Sequence, residues 1–226
     1  MQTAASPSLP RPRLDEPLWL EWLTLAGLFV FATWLLGMRG VWTLLLSSDP
    51  TGITFVIIVI FVGATLWSGR RARELEAERR LAMHALSGGV LTPAGTGWVA
   101  EYWRGLRGAT ADASAPLDLL LEHTHGAHGT AWWVNGIQLK LGLLGKVIGF
   151  SILALEIGQL KNFDPAQSQD LLRSLTLGLG VALLTTMVGL VGNILLGLQL
   201  TRLDRYADEL VALAQREGQA ITRAAA

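Results

Sequence analysis

The sequence predicts an all-α integral membrane protein with four transmembrane helices and helical extensions on the cytoplasmic side. Two observations carry the four spans. The chain has 226 residues, of which 51% are hydrophobic and only 16% charged. An average soluble domain carries roughly 25% charged residues. The charges are also segregated. Trp22 to Met38, Thr51 to Gly69 and Ser174 to Thr201 are uncharged runs of 17, 19 and 28 residues. A hydrocarbon core about 30 Å thick needs roughly 20 apolar residues of helix. Three such runs exceed what a soluble core of this size hides.

The same composition excludes other classes. A disordered chain carries more charge and fewer large apolar residues. With 18 basic and 18 acidic residues the net charge is zero, which argues against a nucleic-acid binder. There is no cysteine, so no disulfide framework.

Residues 1–17 hold prolines and serines and read as a cytoplasmic tail. Span one follows over about 18–38. Its apolar run is too long for a signal peptide, and no A-x-A-like cleavage site follows it. Residues 39–51 form an outer connection with Ser47-Ser48-Asp49-Pro50 as turn signal, and Val41 to Leu46 suits the membrane interface. Span two covers about 52–68 and closes the first hairpin, 18–68. Trp19, Trp22, Trp34, Trp42 and Trp67 sit near span edges, as interfacial aromatics do.

The segment 69–135 reads as cytoplasmic. RRARELEAERRLAMHAL continues the helix of span two, with Arg71–Glu74 and pairs from Glu76 to Arg79 and Arg80. Residues 88–113 read as a loop holding one short helix, AEYWRGLRG. Ser114 and Pro116 start a further helix, expected to end near His125 because Gly126 and Gly129 follow. His123, His125 and His128 then fall in a solvated loop. Zinc binding by these histidines and a pH-sensitive partner contact are weaker readings, because H-x-H-x₂-H between glycines is a poor ligand spacing.

Gly136 to Leu160 is apolar but contains Lys140, Lys146 and Glu156. The basic residues argue that it spans. With four spans, thirteen Lys or Arg residues lie on one side and three on the other. The positive-inside rule then puts both termini and the middle segment in the cytoplasm. With three spans the bias blurs. Spans three and four form the second hairpin, 136–201. The C-terminal helix, 202–226, carries a stripe of Leu203, Tyr206, Ala207, Leu210, Leu213 and Ala214, suited to packing on the same chain or between subunits.

Span four presents Gly178, Ala182, Thr185, Gly189 and Gly192 within about 40° of one line, with Thr186 at its edge. Span three presents Gly142, Gly145 and Gly149, with Gln138, Lys146 and Glu156 on the same half. Small stripes allow close helix approach in lipid. Two mid-span threonines also suit a proton-carrying water or a small cation. Lys146 is six residues past Lys140, about 9 Å deeper, too deep to snorkel freely. It is expected to face a bundle interior and a carboxylate.

LGLLGKVIGF at 141–150 and ALLTTMVGL at 182–190 resemble the MotA/TolQ/ExbB proton-channel family, whose pattern is LLGTVxGxI in one span and GxxxALxTTxxGL in the next. The likeness covers about residues 138–205, and the four-span layout is similar to flagellar stator subunits. The resemblance implies a bacterial inner-membrane pentamer around a dimer of a single-span MotB/TolR/ExbD-like partner, whose membrane aspartate carries H⁺ or Na⁺. It implies an ion path at Thr185 and Thr186, with Gly142, Gly145, Gly149, Ala182 and Gly189 at packing or pore-lining positions. Lys146 stands where the family has threonine, and Val181 where some members have glutamate. Lys146 either pairs with the partner's aspartate and gates it, or has disabled conduction. In the second case the chain is a non-conducting scaffold. No P-loop, G-x-S-x-G or H-E-x-x-H motif occurs, so no enzyme and no resident cofactor are expected.

Overall fold

A computed structural model describes residues 18–49, 51–87, 97–108, 114–158 and 165–225. The tail expected over 1–17, Lys161, and most of the loop expected over 88–113 lie outside the described residues. The described elements are six α-helices: α1 Leu18–Met38, α2 Val41–Ser48, α3 Ile53–Ser87, α4 Trp98–Gly108, α5 Ser114–Gly158 and α6 Pro165–Ala225. Four of them, α1, α3, α5 and α6, are long and apolar enough to cross a membrane.

Three of these exceed any bilayer. The 35 residues of α3, 45 of α5 and 61 of α6 correspond to about 52, 68 and 92 Å at 1.5 Å per residue. Each therefore has an apolar part and a projecting part, and the two differ in surface. Along the apolar parts large side chains point outward: Val30, Phe31 and Met38 on α1, Phe55 and Val62 on α3, Val147 on α5, Leu183 and Ile194 on α6. The projecting parts bury theirs as a soluble bundle does. Ala72, Leu75 and Ala82 of α3, Val99, Tyr102 and Trp103 of α4, Leu120 of α5, and Leu203, Tyr206, Ala207, Leu210, Val211 and Ala214 of α6 form one core. The C-terminal stripe thus packs on its own chain, with Leu213 partly buried at the edge.

Helix α5 runs unbroken through Gly126 and Gly129, which corrects the expected stop near His125. A helical glycine is less favourable than alanine by roughly 1 kcal/mol. The buried series Leu120, Thr124, His128, Ala131, Asn135, Gln138, Gly142, Gly145 and Gly149 spans both glycines and holds the helix against its neighbours. The histidines consequently sit on a helix, not in a loop.

Carboxylates set three helix starts. Glu76 Oε2 accepts the Trp19 N–H at 3.0 Å at the start of α1. Asp49 accepts the N–H groups of Thr51 at 3.0 Å and Thr54 at 2.7 Å, ahead of α3. Burial works against the Asp49 charge, but the hydrogen bonds from Thr51 and Thr54 together outweigh it and hold the carboxyl below its usual range. Glu78 accepts the Trp98 N–H at 2.8 Å at the start of α4. Gly97 makes that last cap possible. Its φ is +136°, and a Cβ there would fall 2.7 Å from Glu78 Oε2.

Candidate functional site

Helices α5 and α6 are antiparallel. His125 meets Asp208, His128 meets Asp204, Gln138 covers Gly192, Gly142 faces Thr186, and Gly149 faces Ala182. Helix α3 runs parallel to α6, with Ile57 by Gly192 and Thr65 accepting from Gln199. The glycine stripes read from the sequence lie face to face in this seam. A Cβ on Gly149 would stand 2.6 Å from Gly178 O and 2.7 Å from Ala182 N. A Cβ on Gly142 would stand 3.0 Å from Thr185 O, and one on Gly189 2.7 Å from Gln138 O. A Cβ on Gly145 would collide with the Thr185 side chain. Backbone meets backbone along about three turns, the geometry that small residues permit.

The two threonines differ. Thr185 is fully buried, and its hydroxyl donates to Val181 O of its own helix at 2.7 Å. Thr186 is half-buried. Its Oγ1 contacts Ala182 O at 2.7 Å and, across the seam, Gly142 O at 3.2 Å. Each oxygen keeps lone pairs that can accept from water or coordinate a small cation. Only Thr186 stands at the margin of the seam.

Within this chain Lys146 does not pack into the helix interior. It is exposed, and its Nζ lies 5.9 Å from the centroid of Phe150, one turn further on. Successive helical residues are about 100° apart. Since Gly145 and Gly149 face α6, Lys146 is turned to one edge of the seam. Thr186 occupies the same edge, while Gly192, against Ile57, lies toward the other. Lys146 follows Gly142, the acceptor of Thr186, by one turn, about 6 Å along the axis. Of the three polar residues expected on one half of span three, Gln138 is buried in the seam, whereas Lys146 and Glu156 are exposed.

Sequence reasoning placed Gln138 on this half of span three but missed Asn135 and the burial of both amides. Gln138 is fully buried with neither side-chain atom partnered, and Asn135 Oδ1 is likewise orphaned. Asn193 Nδ2 donates to Asn135 O at 2.9 Å. The signal was available: Asn135, Gln138 and Gly142 share the spacing of the glycine stripe.

The histidines close the seam at its projecting end. His128 Nδ1 lies 2.6 Å from Asp204 Oδ1, and Trp132 Nε1 donates to Asp204 Oδ2 at 2.8 Å. His125 Nε2 lies 3.1 Å from Asp208 Oδ1. His123 stacks on Trp98, with ring centroids 5.6 Å apart, and Arg71 lies over that tryptophan. Arg71 also donates to the carbonyls of His123 and Thr124, tying α3 to α5. Burial lowers the His128 pKa, against the raising effect of Asp204; Arg71 and His125 add to the lowering. Among the described residues no group of three His, Cys, Asp or Glu is arranged to hold a metal ion. His123, His125 and His128 each have a different aromatic or carboxylate neighbour.

Comparison of the chain with family models, curated proteins and solved structures returns no match.

Proposed function

We propose that the chain is the ring subunit of an ion-driven membrane motor or energiser, conducting H⁺ or Na⁺ together with a single-span partner that carries a membrane carboxylate. One observation carries this reading. The half-buried Thr186 oxygen and the exposed Lys146 ammonium share an edge of the glycine seam, facing away from Ile57 of α3. A charge in mid-membrane costs roughly 2.5–3.5 kcal/mol on insertion scales, and such residues face a bundle interior or a partner. Among the described residues Lys146 has an aromatic neighbour and pairs with no carboxylate. A carboxylate on another chain answers both its charge and its direction.

In this mechanism several copies present the Thr186–Lys146 edge to a common axis, five by family resemblance. The partner's carboxylate sits on that axis. Lys146 stabilises it in the ionised form. Arrival of a proton or sodium ion, relayed past the Thr186 oxygen, neutralises the carboxylate and weakens its hold on one subunit. Rotation to the next subunit restores the pair. The excess of basic residues on the projecting parts supports a cytoplasmic placement of that end.

Vesicles from cells co-expressing the chain with a single-span, aspartate-bearing protein test the proposal. Proton or sodium flux down a gradient is expected with both chains and absent with either alone. A stable complex that carries no flux would sink the motor reading and leave a scaffold of the same fold.

A further inference from the structure

The edge of the seam that holds Thr186 and Lys146 continues out of the apolar part. On α6, Asn193, Gly197 and Asp204 fall within about 40° of one line through Thr186, and Asp208 follows Asp204 by one turn. On α5, half-buried Leu139, Trp132 and His128 fall within about 40° of the line through Lys146, and His125 within about 60°. Contacts across the seam keep the two lines together. Asn193 Nδ2 donates to Asn135 O at 2.9 Å, Trp132 Nε1 to Asp204 Oδ2 at 2.8 Å, and His125 Nε2 lies 3.1 Å from Asp208 Oδ1.

The far end of this edge is polar and open to water. The uncharged run of α6 ends at Thr201, so Asp204 and Asp208 stand about 5 and 10 Å beyond it. The side chains of His125 and Asp208 are 30% and 74% exposed. His128 lies beneath them, buried, and holds Asp204. His125 and His128 have ring centroids 5.6 Å apart, and Arg71 of α3 donates to the His123 and Thr124 carbonyls beside them.

The second ring nitrogen of His125 is fixed from within α5. Thr124 Oγ1 donates to Leu120 O at 2.8 Å, and His125 Nδ1 lies 2.8 Å from the same Oγ1. A hydroxyl whose proton is given to a carbonyl is left as an acceptor, so Nδ1 carries the N–H. Nε2, on the water side, is then the nitrogen that gains and loses a proton. Asp208 Oδ1 is in place to accept from the N–H so formed.

We propose that His125 and Asp208 form the proton-release site at which the conduction path leaves the membrane, and that the conducted ion is H⁺. The inference rests on the motor reading and names its ion and its exit. A protonated water on the seam edge gives its proton to Nε2; the new N–H bond forms as the O–H bond breaks. Transfer from Nε2 to bulk water reverses the step and resets the site. An imidazole offers a sodium ion no oxygen, which is why the pair selects the proton.

Flux in vesicles from cells co-expressing the chain with a single-span, aspartate-bearing protein tests this, with little buffer on the projecting side. His125→Gln and Asp208→Asn are each expected to lower proton flux about tenfold, with melting points unchanged. MES, a membrane-impermeant buffer, added on the projecting side should restore the flux of both variants, because a mobile base replaces the lost one. Undiminished flux in both variants, or a loss that MES does not restore, overturns the release site. Sodium flux without proton flux overturns it and leaves the motor reading standing. No flux of either ion with the unaltered chains overturns the motor reading itself, and this inference with it.

Discussion

His128 Nδ1 on α5 and Asp204 Oδ1 on α6 stand 2.6 Å apart, joining two helices at positions 76 residues apart in the chain. The opposite ring nitrogen, Nε2, is buried without a partner, and the ring meets Trp67 of α3 edge-on. The neutral imidazole fits this place, with its N–H on Nδ1 directed at Asp204. A second proton on Nε2 would have no acceptor.

Stability should therefore fall in mild acid. The unfolded chain takes up the histidine proton near 6.5, and the folded chain resists it because burial depresses the pKa. The contribution is complete above pH 6.5 and is lost as pH drops below it. Thermal melts of detergent-purified protein between pH 8 and 5 measure this. His128→Asn keeps a donor near the Nδ1 position but cannot titrate, so its melting point should depend less on pH. An unaltered slope in that variant would remove His128 as the source.

Asp204 serves both His128 and Trp132, so losing its charge affects two contacts. Asp204→Leu should destabilise the protein by about 1–3 kcal/mol, since the buried His128 donor is left unmade and the exposed Trp132 contact is lost. Asp208→Leu, at an exposed contact, should cost well under about 1 kcal/mol. Chemical denaturation compares the two, and equal losses would contradict the geometry.

The glycine seam predicts a sharp positional effect. Gly149→Ala places a methyl group against Gly178 O and Ala182 N, atoms that cannot rotate away. Overpacking of this kind costs about 1–3 kcal/mol. Gly180→Ala, on the same pair of helices, meets nothing within 4 Å. It should be neutral or slightly stabilising, because alanine is the better helix former. Melting points of the two variants in one detergent decide this, and similar losses would argue against a tight seam.

Thr186 and Thr185 should separate in function. Thr186→Val removes the oxygen at the margin of the seam and is expected to lower flux at least about tenfold, which corresponds to about 1.4 kcal/mol in the barrier. Thr185→Val alters a wholly buried hydroxyl bonded to its own helix, and its main effect should be on stability, about 1 kcal/mol. Flux in vesicles and a melt on each variant provide the measurement. Equal flux loss with unchanged melts would place both hydroxyls in the ion path.

Lys146→Thr should leave the isolated chain's melting point within about 0.5 kcal/mol, as for an exposed residue without such contacts. Partner capture and the pH dependence of flux should both change. Unchanged behaviour in both assays would remove Lys146 from the mechanism.

Much of this fold is set locally and is readable in order along the chain. Uncharged runs locate three of the four long helices, and the placing of basic residues argues for the fourth, because water and lipid sort side chains by charge, whatever the tertiary contacts. The stripes of Gly142, Gly145 and Gly149 and of Gly178, Ala182 and Gly189 identify two faces built for close approach. Sequence periodicity alone does not say that these faces meet each other. Packing made that choice, because antiparallel α5 and α6 bring backbone to backbone only when both stripes lie in one seam. The same packing carried α5 through Gly126 and Gly129, where local propensity pointed to a stop. It also left Lys146 at the edge of the seam, because Gly145 faces α6 and the next residue lies about 100° round the helix. The histidines show the limit most plainly. Their spacing suggests a loose loop, and their partners, Asp204 and Asp208, are about eighty residues away. Composition and periodicity determined what each helix is and which face it must hide; only the tertiary structure decided against what, because a hydrophobic or small-residue stripe specifies burial but carries no address.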